Sequence, residues 1–187
     1  MVNVSDKVQP KNKAQLKSLI DHAFNHNIYD LNFIDTSKIT DMSWLFEYIS
    51  SDFDVSNWDV SNVTNMTGMF YACKKFNSDL SNWNVSNVTS MNFMFCWCKN
   101  FDGKGIENWN ISKVEIMNSM FKNCKKFNCD LSHWDVSNVT DMDNMFFNCK
   151  KFNCDLSDWD ISNITRWKNM FSGCDKISIP SWYKSNE

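Results

Sequence analysis

The chain has 187 residues, of which 22% are charged and 43% hydrophobic, with a formal net charge of −3. That composition excludes a disordered chain, and the acidic balance (sequence pI about 5.6) argues against a general nucleic-acid binder, which needs a basic surface. Fifteen Phe, nine Trp and eleven Met are too many bulky apolar groups to leave in water, so a sizeable core is expected.

Residues 1–10 are polar, and no run of 18 apolar residues occurs anywhere. This predicts no signal peptide, no lipid anchor and no membrane span. The expected location is cytoplasmic as written, or the cell surface or outside if a leader was removed. Residues 12–28 then place Leu16, Leu19, Ile20, Ala23, Phe24 and Ile28 on one helical face, which predicts a capping helix within an N-terminal segment of residues 1–30. His22 and His26 lie four apart on it. That spacing can hold zinc, but "HAFNH" lacks the glutamate of a metalloprotease motif and reads as an exposed pair.

From residue 31 to 178 one sentence repeats. Trp58, Trp83, Trp109, Trp134 and Trp159 recur at intervals of 25, 26, 25 and 25. Val63, Val88, Val114, Val139 and Ile164 keep the same step, as do Met66, Met91, Met117, Met142 and Trp167. Met-Phe pairs at 69–70, 94–95, 120–121, 145–146 and 170–171, then Cys73, Cys98, Cys124, Cys149 and Cys174, complete each unit. A degenerate copy precedes them, with Ile34, Ile39, Met42, Leu45, Phe46 and Ile49. One extra residue in "FDGKGIENW" explains the interval of 26. The array is one degenerate plus five repeats of about 25 residues, each too small to bury its own Trp, Met, Phe and Cys.

Leu80, Trp83 and Val85 suggest a short strand, and the 3-1-3 spacing of Met91, Met94, Phe95 and Cys98 suggests one or two helical turns. The expected fold is therefore an α/β repeat solenoid, a stack of short strands and helical turns. Residues 179–187 form the C-terminal cap and tail, with Ile177, Ile179 and Trp182 covering the last strand and Pro180 blocking further pairing.

"DLSNWNVSNVTSMNFMF" from Asp79, its copies, and "IDTSKITDMSWLF" from Ile34 together resemble the repeat of BspA-like bacterial surface proteins, a family related to leucine-rich repeats. The resemblance covers residues 14–178. It implies a right-handed leucine-rich-repeat-like solenoid, protein–protein or host-surface interaction, no enzymatic activity, and frequent secretion or lipid anchoring. It supplies no catalytic residues.

Nothing in the residues themselves points to catalysis, a cofactor or a metal site. The glycines form no phosphate cradle, and Cys96 with Cys98 gives a lone C-x-C. Cys129 and Cys154 share a column in adjacent repeats, close enough for a disulfide, although free thiols are the favoured reading. Eight Asn-x-Ser/Thr sequons follow from the repeated turn and carry no weight.

Repetition does build stripes. Asn82, Asn108, His133 and Asp158 form one polar column, and Asn84, Asn110, Asp135 and Asp160 the next, growing acidic toward the C-terminus. Lys74, Lys75, Lys99, Lys125, Lys126, Lys150 and Lys151 form a basic stripe on another edge. The expected function is a non-catalytic protein-binding module that presents the polar, acidic face to an unidentified host or bacterial protein, as a monomer or weak oligomer. The alternatives are a surface adhesin or structural assembly component, and then an enzyme hidden in the array.

Overall fold

The structure is a computed structural model that describes residues 7–184. Residues 1–6 and 185–187, the ends of the expected N-terminal tail and C-terminal cap, lie outside the described residues.

The expected strands and helical turns of the repeat are not there. Among the described residues there are two helices, α1 (Lys13–Asn25) and α2 (Ser181–Lys184), neither within a repeat. No sheet forms. Pairing is limited to isolated parallel bridges, whose main line runs Asp41, Asn65, Ser90, Ile116, Asp141, Arg166. The chain is not an α/β stack.

Each repeat is instead a coil of successive tight turns. In the repeat that starts at Asp79, backbone N–H groups donate three residues back: Trp83 to Leu80 (3.1 Å), Val88 to Val85 (2.9 Å), Met94 to Met91 (3.2 Å), Cys98 to Phe95 (2.9 Å) and Phe101 to Cys98 (3.2 Å). The two ends of such a turn lie close together, while its central pair projects away. All nine end residues are buried. The apolar spacing of three was thus the period of a turn, which the sequence pattern alone does not separate from that of a helix.

Two features exclude helix here. Asp and Asn side chains cap the turns locally: Asp79 Oδ1 accepts from Ser81 N (3.0 Å) and Asn84 Oδ1 from Ser86 N (3.1 Å). In addition, the amides of the Met–Cys segment point to the neighbouring repeat. Met91, Phe93, Phe95 and Trp97 donate to Ile116, Asn118, Met120 and Lys122 carbonyls at 2.7–3.0 Å. The same set recurs from repeat to repeat.

Side chains return the favour toward the preceding repeat. Trp109 Nε1 donates to the Leu80 carbonyl (3.2 Å) and Cys124 Sγ to the Phe95 carbonyl (2.9 Å). The asparagine of "SNVT" donates from its amide to a serine carbonyl one repeat earlier, as Asn87 to Ser61 (2.8 Å) and Asn138 to Ser112 (2.7 Å).

The core is continuous along the stack. The Trp column is buried, from 2% exposure at Trp58 to 5% at Trp109. Phe46, Phe70, Phe95, Phe121, Phe146 and Phe171 stack ring on ring at 5.4–5.8 Å. A further buried column, Phe53, Phe76, Phe101, Phe127 and Phe152, packs beside it, with Phe95 and Phe101 only 4.1 Å apart. The extra residue of the third repeat is absorbed at Gly105, whose φ is +88 and where a Cβ would meet Ser81 N at 2.3 Å.

The N-terminal end is closed by α1. Asn12 caps it by accepting from Gln15 N (3.0 Å). It ends in a Schellman pattern, with Asn27 at φ +59 and Ile28 N donating to the Ala23 carbonyl (2.9 Å). Leu16, Ile20 and Ala23 are buried and Leu19 and Phe24 partly so, while Ile28, expected on the same face, is exposed. Ahead of the helix, Val8 bridges Ile34. No helix among the described residues is long and apolar enough to cross a membrane.

Candidate interaction surface

All eight residues of the predicted polar face are exposed, but they divide into two kinds. Asn84, Asn110, Asp135 and Asp160 are turn caps. Each accepts from the serine amide two residues on, at 3.0–3.1 Å. Asn82, Asn108, His133 and Asp158 sit at the centre of the turn that ends at Trp, and their side chains make no hydrogen bond to the described residues. None of the eight lies on a strand face.

The capping bonds set the charge state of this side. Asp160 and Asp155 are held below the ordinary carboxylate range by the amides and hydroxyls of Ser162 and Ser157. Asp79 is held lowest, at about 2, chiefly by Lys104 (2.8 Å away) and then by Ser81.

The basic stripe occupies the centre of the turn that runs from Cys to Phe. Lys74, Lys75, Lys125, Lys126 and Lys151 are exposed, and Lys99 and Lys150 half-buried. Two have partners: Lys150 pairs with Asp175 (3.0 Å), and Lys99 lies over the Trp97 ring at 5.6 Å.

All eight cysteines are free thiols. Burial pushes Cys73 and Cys96 up to about 12 and raises Cys98, Cys124 and Cys149 well above the ordinary thiol value. Cys129 and Cys154 also stay protonated, near 12 and 11, again mainly through burial. Cys154 accepts from Leu131 N (3.2 Å) and donates to Asp130 Oδ1 (3.3 Å), the place Ser78 takes beside Asp54. Among the described residues, no group of three or more His, Cys, Asp or Glu is placed to hold a metal ion. The rings of His22, on the exposed side of α1, and His26, just past its end, lie 4.2 Å apart and tilted by 39°.

The structure also shows a surface that the sequence reading missed. Two columns of the Met–Cys segment have positive φ in every repeat. One runs Trp44, Gly68, Phe93, Ser119, Asn144, Asn169, and the other Tyr48, Ala72, Trp97, Asn123, Asn148, Gly173. This is the third position of a turn, where type II geometry calls for Gly or Asn. The last two repeats obey that rule, with Asn144, Asn148, Asn169 and Gly173. Two of the first three repeats place large rings there instead, with Trp44, Tyr48, Phe93 and Trp97 at φ between +57 and +67, and the repeat between them has Gly68 and Ala72.

Those rings stand in the open. Trp44 is 40% exposed, Tyr48 67% and Trp97 38%. Trp44, Tyr48 and Phe93 form one cluster around Tyr71, with Trp44 meeting Tyr71 at 5.7 Å and Phe93 at 6.3 Å and Tyr48 meeting Tyr71 at 5.4 Å, while Trp97 stands in the Tyr48 column two repeats on. A left-handed conformation costs a residue with a Cβ about 1–2 kcal/mol. Four aromatic residues carry that cost here without burying their rings. The signal was present in the sequence as Trp44, Tyr48 and Trp97, bulky residues outside every core column.

These features define a repeat protein of turn-built coils with asymmetric ends and one aromatic face. The chain belongs to the DUF285 family, described as Mycoplasma protein of unknown function, which matches it twice, over residues 14–105 and 97–186. Neither the curated proteins nor the solved structures contain a match.

Proposed function

We propose that the chain is a non-catalytic protein-binding module, of the broad kind typified by BspA-like surface repeat proteins, and that it grips its partner through the aromatic cluster. One observation carries this reading: Trp44, Tyr48, Phe93 and Trp97 are kept in a costly backbone conformation in which three of them stay exposed. Strain of that kind concentrates at functional sites. Exposed Trp and Tyr groups are also the side chains that dominate binding hot spots.

The acidic column offers a second docking face. It is favoured by the uncommitted Asp158 and His133 beside Asp135 and Asp160. A surface or secreted location suits the first reading. The eight unbridged thiols suit a reducing compartment instead.

Three immobilised proteins separate the two faces. They are the wild type, a Tyr48→Gly/Trp97→Gly double variant, and a triple variant with Lys at Asp135, Asp158 and Asp160. Glycine is native to both positive-φ columns, so the double variant keeps its fold. A protein retained by the wild type and the triple variant but lost by the double variant supports the aromatic face. Loss with the triple variant alone moves the docking site to the acidic face. Retention by both variants defeats both readings.

A further inference from the structure

The stack is directional. At each internal step the amides of the Met–Cys segment donate to the repeat that follows. Met117, Ser119, Phe121 and Asn123 donate to Asp141, Asp143, Met145 and Phe147 carbonyls, and Met142, Asn144, Phe146 and Asn148 donate to Arg166, Lys168, Met170 and Ser172. In the last repeat the equivalent donors are Trp167, Asn169, Phe171 and Gly173. Among the described residues these four amides donate to nothing. The C-terminal cap covers another part of this end. Trp182 enters the Trp column by donating to the Leu156 carbonyl (3.0 Å), and Tyr183 lies against Phe171 at 5.0 Å. The donor row beside it has no acceptor.

We propose that this row is a docking site for an extended, acidic segment of a partner protein, held through its backbone carbonyls at every second residue. Chain addition to an open edge is an established mode of peptide capture. Unpaired backbone donors at a buried contact also cost free energy, which favours an acceptor of fixed spacing.

A second copy of the chain does not fit this row. A second copy joined end to end by two-fold symmetry sets donors against donors. Arg166 is paired with Asp141 (3.5 Å) and Asp143 (2.6 Å), but a two-fold copy also faces Lys168 with itself, and the segment from 165 to 174 contains no acidic residue to answer it. Head-to-tail stacking is blocked because α1 covers the acceptor end, where Lys17 Nζ already donates to the Leu45 carbonyl (3.2 Å). The remaining occupant is a segment that brings carbonyls and negative charge. The chain contains a sample of such a segment: residues 140–148 present Asp141, Asp143, Met145 and Phe147 carbonyls and carry two carboxylates. This surface lies in the last repeat, away from the aromatic cluster of the first three, and stands without it.

The test uses the full chain and a fluorescein-labelled peptide with the sequence of residues 140–148. Hydrogen exchange of the free chain is expected to be fast at the amides of Trp167, Asn169, Phe171 and Gly173 and slow at their paired counterparts Met142, Asn144, Phe146 and Asn148, and peptide saturation is expected to slow the first four. An amide-to-ester replacement at Asn169, made by semisynthesis, removes that donor while keeping the positive φ, and should weaken peptide binding about tenfold, as loss of one backbone bond predicts. Lys168→Glu, which leaves every amide in place, should weaken it as well, and added salt should do the same. Slow exchange at the amides of Trp167, Asn169, Phe171 and Gly173 in the free chain overturns the proposal. So does absence of peptide binding, equal binding by Lys168→Glu, or a dimer on sizing that protects those amides.

Discussion

The indole of Trp182 donates to the Leu156 carbonyl at 3.0 Å, repeating in the C-terminal cap the bond that Trp159 makes to Leu131. The cap therefore closes the array by imitating a repeat. Trp182→Ala should free the last coil without touching those before it. Amide exchange is expected to rise over residues 155–174 and stay slow over residues 80–124, which peptide-resolved exchange measures.

Trp109→Ala should behave differently, because Trp109 lies mid-array. It is 5% exposed, donates to Leu80, and stacks on Trp83 at 6.3 Å. Truncating a buried Trp costs about 3–5 kcal/mol, and in a one-dimensional array the loss falls on two interfaces. Denaturant unfolding should show a large loss of stability and a transition split in two. An unchanged midpoint would remove the Trp column from the core.

Opposite signs are expected in the positive-φ columns. At Gly68 φ is +60, and a Cβ would sit 2.3 Å from Trp44 Cε3, so Gly68→Ala should destabilise by more than the 1–2 kcal/mol of the backbone term alone. Ser119→Gly, at φ +55, relieves the same strain and should be neutral or stabilising by up to about 1 kcal/mol, net of glycine's greater unfolded-state freedom. Thermal melts of the two variants decide this.

Acid should unfold the chain through its turn caps. Asp79, Asp130, Asp155 and Asp160 titrate below the ordinary value of 3.8 in the folded state. A depressed folded pKa contributes stability that is fully present above the unfolded value and lost as pH falls through the folded one. The melting temperature should therefore hold down to about pH 4 and drop between there and the Asp79 value of about 2. Asp79→Asn should flatten part of that drop while keeping the turn, since Asn84 caps the same geometry.

The thiol column should be inert. Burial holds Cys73, Cys98, Cys124 and Cys149 protonated far above neutral pH, and each donates to a Phe carbonyl at 2.9 Å. Iodoacetamide at pH 8 should leave all four unlabelled in the native chain and label them in denaturant. Labelling of Cys98 in the native state would contradict its full burial.

Which residues face inward was legible in the sequence, because repetition at a step of 25 aligned Trp, Val, Met, Phe and Cys into columns. Even the Phe76 column, which the reading passed over, recurs at the same step. The conformation between those residues was not legible. Spacings of three fit a helix and a turn equally well at the level of pattern. The choice between them rests on where the amides of residues such as Phe93 and Trp97 go, and they go to Asn118 and Lys122, 25 residues away.

The same division holds for the surfaces. The sequence alone determined the register, the buried set, the capping helix and the charge columns, since each follows from residue type and period. Only the tertiary structure decided that Asp135 and Asp160 hold turns, that Trp44 and Tyr48 gather at Tyr71, and that, among the described residues, the last repeat ends in four unmatched donors. These are properties of contacts between coils, and a contact depends on how neighbouring repeats are oriented, which no single repeat encodes.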